Sequence, residues 1–162
     1  CLTAVVALQA YAQDYPARAI KMVVPQPPGG GTDLIGRMLA QRFTKALGQP
    51  FIVDNRAGTG GTIATDIVAK APRDGHTLLV HTISLAVNAS LYPKLPYDME
   101  RDMLGLSQAT SLFYVLYIHP SVPVKTVREL IEYSKANPGK LNFGTSGPGT
   151  GQFILAALIL PC

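Results

Sequence analysis

Three glycine-rich segments hold most of the residues in this sequence that could do chemistry. They are Pro27-Pro28-Gly29-Gly30-Gly31-Thr32-Asp33, Gly58-Thr59-Gly60-Gly61-Thr62 and Gly144-Thr145-Ser146-Gly147-Pro148-Gly149-Thr150. A loop of this kind that opens a helix presents unpaired backbone amides. The helix dipole adds partial positive charge, so a carboxylate or phosphate binds there readily. Thr32, Thr59, Ser146 and Thr150 would place hydroxyls beside those amides. The same residue types also cap helices and shape turns with no ligand involved.

Spacing narrows the chemistry. A dinucleotide fingerprint, G-x-G-x-x-G, begun at Gly29 and Gly31 would need its third glycine where Leu34 stands. Gly31 and Gly36 have the outer spacing of a P-loop, but Arg37-Met38 replaces the Lys and the hydroxyl residue that would hold phosphate and magnesium. Gly144-Thr145-Ser146-Gly147-Pro148 falls one residue short of a nucleophile elbow. His76, His81 and His119 all precede Ser146, the reverse of the serine–acid–histidine order of that hydrolase fold. His81, between apolar neighbours, reads as a buried or rim histidine rather than a base. No carboxylate pair or histidine cluster suggests a metal, and Asp98, Glu100 and Asp102 read as a solvated surface crossing. What is left is binding without a reaction: no catalytic residue, no cofactor and no metal.

The bulk composition fits a folded binding protein. The 162 residues are 48% apolar and only 15% charged, enough to bury a core. The net charge of +4 is scattered, Trp is absent, and no basic run interleaves with aromatics, so nucleic acid is a poor partner. At the N-terminus, an apolar stretch from Leu2 to Leu8 followed by Ala10-Tyr11-Ala12 reads as the end of a secretory signal, with cleavage after Ala12 and export to the periplasm. A lipoprotein beginning at Cys1 is the alternative. The two cysteines, Cys1 and Cys162, give no spacing for a metal or redox pair.

The elements that must position the loops alternate strand and helix. Ala19 to Val24, Phe51 to Asp54 and His76 to Thr82 read as strands. Leu34, Met38, Leu39 and Phe43 recur at helical spacing up to Gly48, and Ile63, Ile67 and Val68 mark a second helix ended by Pro72. Such a chain makes a parallel sheet covered on both faces, with ligands outside the carboxyl ends of its strands. Leu91 to Met103 reads as a surface crossing, and a domain boundary is expected near residues 104 to 110. Beyond it, Ser111 to Pro120 and Leu141 to Thr145 read as strands. Thr126 and Glu129 form a capping box, and an apolar helix starts at Gln152. That last helix is apolar on every side and needs cover, so the chain reads as cut off in mid-element and prone to associate through it.

The segments from Tyr15 to Val80, Asn88 to Asp98 and His119 to Thr150 carry a resemblance. Pro25-Gln26-Pro27-Pro28-Gly29-Gly30, Asn55-Arg56-Ala57-Gly58-Thr59-Gly60-Gly61 and Tyr92-Pro93-Lys94-Leu95-Pro96-Tyr97-Asp98 together resemble the Bug family of periplasmic solute receptors, which serve tripartite tricarboxylate transporters. The resemblance implies an α/β periplasmic-binding-protein fold of type II, a hinged Venus flytrap with no catalysis. It implies small organic acids, di- or tricarboxylates or amino acids, as ligands, and membrane permease subunits as partners. It places residues 13–104 in the first lobe and 105–162 at the start of an incomplete second. The implied ligand contacts are Pro28, Gly29, Gly30, Thr32 and Asp33 in the first loop and Gly58 and Thr59 in the next. Thr82, Ser84 and Asn88 follow the third strand, and Thr145, Ser146, Gly147, Gly149 and Thr150 come from the second lobe.

The sequence also departs from the family. Phe153 and Ala157 stand where the family often has a histidine and a glutamate, and Leu158-Ile159-Leu160-Pro161-Cys162 does not resemble its continuation. The expectation is therefore the N-terminal portion of such a receptor, from a truncated or frameshifted reading frame. The alternatives are a non-functional fragment or a small α/β enzyme using a glycine loop.

Overall fold

The computed structural model describes residues 15–160. The expected signal remnant and both cysteines lie outside the described residues.

Three strands form one parallel sheet: β1 (Ile20–Val24), β2 (Phe51–Asn55) and β3 (Thr77–Leu79), in the order β2-β1-β3. Ile20 pairs with Phe51 and Val24 with Asn55 on one side, and Met22 pairs with Leu78 on the other. The central strand is the core, because it alone has a neighbour on both edges. Ile20, Met22, Val23 and Val24 are all at most 1% exposed. The apolar run predicted to be a strand from Ala19 is therefore β1, one residue shorter, and β3 is trimmed to three residues.

Helix α1 (Gly31–Leu47) packs on β1 and β2, and α2 (Thr62–Ala69), entered through a 3-10 turn at Thr59–Gly61, packs on β1 and β3. Of the sequence stripe Leu34, Met38, Leu39 and Phe43, Leu39 is half-buried and none is fully buried by α1. Its buried positions are Thr32, Asp33, Gly36 and Ala40, whereas Leu34 and Met38 are largely exposed. Gly36 explains the choice: a Cβ there would lie 3.1 Å from Val24 Cγ2, so the small-residue side lets the helix sit directly on β1. Gly48, at φ +71, ends the helix in the left-handed conformation that glycine tolerates and donates to the Thr44 carbonyl.

Two helices stand where no helix was expected. Helix α3 (Ser84–Leu91) follows β3, and α4 (Met99–Asp102) lies in the predicted surface crossing. Asp98 caps α4, its Oδ1 accepting from the Glu100 and Arg101 amides at 3.0 Å. The acidic cluster is engaged in ion pairs, Asp102 with Arg101 at 2.9 Å and with Arg73 at 3.5 Å.

Beyond residue 103 the expectation of two further strands fails. Residues 103–119 form no regular element and have no ladder partner among the described residues, and the same holds for residues 140–145. A β-prone sequence supplies only one side of a ladder, and a strand exists only where a second backbone faces it. Phe113 and Tyr117 are consequently 94% and 86% exposed. Two helices do form as expected, α5 (Val127–Ala136) and α6 (Gly151–Ile159). The α5 cap is the predicted pair with one shift. Thr126 Oγ1 accepts from the Glu129 amide at 3.2 Å, while the Glu129 carboxylate reaches back to the amide of Lys125 rather than that of Thr126.

Candidate functional site

Because the three strands are parallel, the segments that follow them leave the sheet at one edge. Their roots are fixed to β1: the Arg56 amide donates to the Val24 carbonyl at 2.7 Å and the Val80 amide to the Val23 carbonyl at 3.0 Å. Each segment then opens a helix, α1, α2 or α3.

The first loop is organised by Asp33, a buried residue in the first turn of α1. Its Oδ2 accepts from the Gly29 amide at 2.8 Å and from Arg37 Nε at 3.0 Å, and its Oδ1 accepts from Asn55 Nδ2 at 2.9 Å. Asn55 Nδ2 also donates to the Gln26 carbonyl at 3.0 Å, so the loop is bolted to the end of β2. Arg37, the Gly29 amide and Asn55, in that order of strength, hold the Asp33 carboxyl down to about 2. Its charge is therefore committed inside the protein, and Gly29, at φ +87, makes the turn that lets its amide face it. Pro28, Gly29 and Gly31 stay exposed beyond this clamp.

In the second loop every residue from Gly58 to Gly61 has a positive φ, including Thr59 at +44. The third segment folds back on itself. His81 Nδ1 accepts from the Thr82 amide at 2.9 Å, and the Thr82 hydroxyl donates to Ser84 Oγ at 3.2 Å. Burial pushes the His81 pKa down and so favours the neutral ring. Gly61 packs on the His81 ring and on Pro25, where only glycine leaves room.

The segment Gly144–Thr150 meets this edge from the other half of the chain. A Cβ on Gly60 would lie 3.2 Å from the Pro148 carbonyl, and Gly151 abuts the Tyr114 hydroxyl and Ile83. Inside this loop the Gly147 amide donates to Thr145 Oγ1, and the Thr150 hydroxyl donates to the Gly147 carbonyl at 2.7 Å. Ser146 is exposed. The structure thus brings the second, third and fourth loops together. It does not join the first to the fourth directly, since no hydrogen bond links Pro25–Gly30 to Gly144–Thr150 among the described residues. Asn55 and Arg37 were missed from the sequence. Asn55 looked like the start of a loop, although it opens the N-R-x-G-x-G-G motif.

The capping pattern distinguishes this edge. The N-cap residues of α1, α2 and α3 (Gly30, Gly61 and Ile83) contribute no side-chain hydrogen bond, whereas Asp98, Thr126 and Thr150 cap α4, α5 and α6. The caps of α1 and α2 leave first-turn amides for something else, whereas in α3 the Ser84 amide donates to Thr82 Oγ1 at 3.4 Å and the Leu85 and Ala86 amides donate to the Thr82 and Ile83 carbonyls. No group of three His, Cys, Asp or Glu among the described residues could hold a metal ion.

A parallel sheet flanked by helices, with glycine loops gathered at one edge, is an α/β ligand-binding architecture. The chain belongs to the tripartite tricarboxylate transporter receptor family, whose model matches residues 35–159. It is 42% identical to BugT of Bordetella pertussis over 158 residues, covering 96% of this chain and 48% of that protein. It is 41% identical over 145 residues to a UPF0065 protein from the tcbD-tcbE intergenic region of a Pseudomonas species, covering 90% of this chain and 43% of the relative. The chain thus spans less than half the length of these relatives. Among solved structures it is similar to the periplasmic binding protein BugD (TM-score 0.67, 28% identity, 90% of this chain and 50% of that one). It is also similar to Rpa4515 of R. palustris with adipate (TM-score 0.63, 34% identity, 85% and 46%). MatC of Rhodopseudomonas palustris with bound malate matches over a smaller part (TM-score 0.52, 40% identity, 54% and 30%). Members of this family are periplasmic binding proteins and not enzymes.

Proposed function

We propose that this protein captures a small carboxylate outside the cytoplasm and hands it to the permease subunits of a tripartite transporter. The observation that carries the reading is the shared edge where the N-termini of α1 and α2 open without side-chain caps, since amides left open there suit an anion. The likeness to receptors described with adipate and with malate supports a dicarboxylate as the ligand class.

On this reading, residues before about 104 belong to the first lobe and those after it to the second. Pro28, Gly29, Gly30, Thr32, Gly58 and Thr59 supply ligand contacts from the first lobe, with Thr82 and Ser84 beside them. Thr145, Ser146, Gly147, Gly149 and Thr150 supply them from the second. Asp33 serves the same site by holding its loop in shape, because its carboxylate already has three protein donors and would repel an anionic ligand. The signal-like residues 1–12 direct export.

Titration calorimetry with malate and adipate, and with the uncharged diamide of adipate as control, tests the reading. The acids bind and the diamide does not. Equal binding of the diamide, or binding of none of them, overturns it.

A further inference from the structure

Asn88, on α3, has no exposed surface and lies between the turn Thr59–Gly61 and the loop ahead of α6. Its Nδ2 donates to the Gly60 carbonyl at 2.8 Å. Its Oδ1, equally buried, has no hydrogen-bond donor among the described residues. Two glycines close on that oxygen: a Cβ on Gly60 would lie 3.2 Å away and one on Gly149 only 2.5 Å away. Both have left-handed backbone, φ +62 and φ +81, so both segments reach Asn88 as bare main chain.

The fourth loop has a donor to offer. The Gly147 amide is taken by Thr145 Oγ1 and the Thr150 amide by the Gly147 carbonyl, and Pro148 has none. Within residues 147–150 that leaves the Gly149 N–H, next to a buried acceptor, Asn88 Oδ1, that lacks a donor. A buried carbonyl oxygen without a partner costs stability until one arrives.

We propose that Asn88 is a positioning residue that ties the loop after β2 to the loop before α6. Nδ2 holds the Gly60 carbonyl, and Oδ1 takes the Gly149 N–H through a small approach of the loop ahead of α6 that needs no ligand. The positioning role rests on the receptor reading above. Only a carboxamide does this at one planar group, since Asp has no donor for Gly60 and Leu has neither function.

Hydrogen exchange read peptide by peptide on wild type and Asn88→Ala tests the tie without any ligand. Losing it raises exchange about tenfold in both the Thr59–Gly61 turn and the loop ahead of α6, the scale of one buried hydrogen bond. A rise confined to the turn overturns the proposal. Because Asn88→Ala could loosen α3 as a whole, Gly149→Ala and the double variant give a second reading. A Cβ at 149 collides with Asn88 Oδ1, so the double variant melts higher than the sum of the single losses predicts, and backbone strain at 149 cancels in the cycle. Additive losses overturn the contact. In the malate and adipate titrations Asn88→Ala weakens binding about tenfold, and unchanged affinity overturns the positioning role. If wild type binds neither acid, the receptor reading fails, while exchange and the mutant cycle still decide the tie.

Discussion

Asn55 Nδ2 meets Asp33 Oδ1 at 2.9 Å across 22 residues of sequence, joining the end of a strand to the first turn of the preceding helix. This bond turns a glycine loop, otherwise free to take many shapes, into one held conformation. The carboxylate contributes here as scaffold, and the backbone it holds is what faces outward.

The first expectation concerns acid. The folded Asp33 titrates at about 2, whereas an unfolded aspartate titrates near about 3.9. The lowered value means that ionised Asp33 favours the fold above about pH 4, and this contribution is lost as pH falls toward 2. Asp102, also held at about 2, first by Arg101 and then by the Asp98 amide, loses its share in the same window. Asp33→Asn therefore lowers the Tm at pH 7 and flattens its decline between about pH 4 and 2. A Tm profile as steep as wild type's shows that Asp33 is not coupled to folding.

Ser146 is exposed in the fourth loop, so its hydroxyl is available to a ligand at no cost to the core. Ser146→Ala weakens dicarboxylate binding by roughly 1 kcal/mol, about fivefold, as one hydrogen bond to a charged group is lost while neighbouring amides remain. Its Tm without ligand stays at the wild-type value. Calorimetry that finds equal affinities removes Ser146 from the site.

Gly61 has φ +96 and lies against the His81 ring and Pro25 Cβ, 3.0 Å from where its own Cβ would be. Neither neighbour is the tip of a flexible chain. Gly61→Ala combines left-handed strain with overpacking and destabilises by roughly 2 kcal/mol or more. Urea denaturation measures this through a lower midpoint at constant slope, and a midpoint equal to wild type's contradicts the packing.

Thr126 caps α5, whose apolar anchor Leu130 is 4% exposed. Thr126→Ala removes the side-chain acceptor for the Glu129 amide and costs about 1 kcal/mol of stability. Circular dichroism melts report the loss, and replacing Thr126 with Ser restores it.

The run from Leu104 to Tyr117 exposes more apolar surface than α6, where Leu158 at 75% is the most exposed of the large apolar side chains. Unpaired apolar strands invite association. The protein self-associates with concentration in sedimentation experiments, and pairing Phe113→Lys with Tyr117→Lys suppresses this more than Leu158→Lys does. The reverse order places the contact on the helix.

The first half of the fold was legible because periodicity and glycine punctuation agree there. β1, β2, α1 and α2 each have an apolar pattern between turn residues, and a right-handed, parallel arrangement follows. The sequence misled where the structure needs a partner it does not name. Ser111 to Pro120 has strand composition, yet no second backbone among the described residues pairs with it. The face of α1 was misread for a related reason: closeness to β1 favours Gly36 and Ala40 over the larger Leu34 and Met38. The site was legible as loops and not as bonds. Glycine and hydroxyl content marked the loops, but nothing local says that Asp33 and Asn88 turn their side chains to main chain far along the sequence.

The hydrogen bonds from Arg56 and Val80 to consecutive carbonyls of β1 have an evolutionary consequence. They fix where the second and third segments begin. Residues such as Ala57, Thr59 and Ile83 can change without touching β1 or its packing. The sheet and its packing are thereby separated from the outer loop residues, so the face of this edge can vary on a single fold.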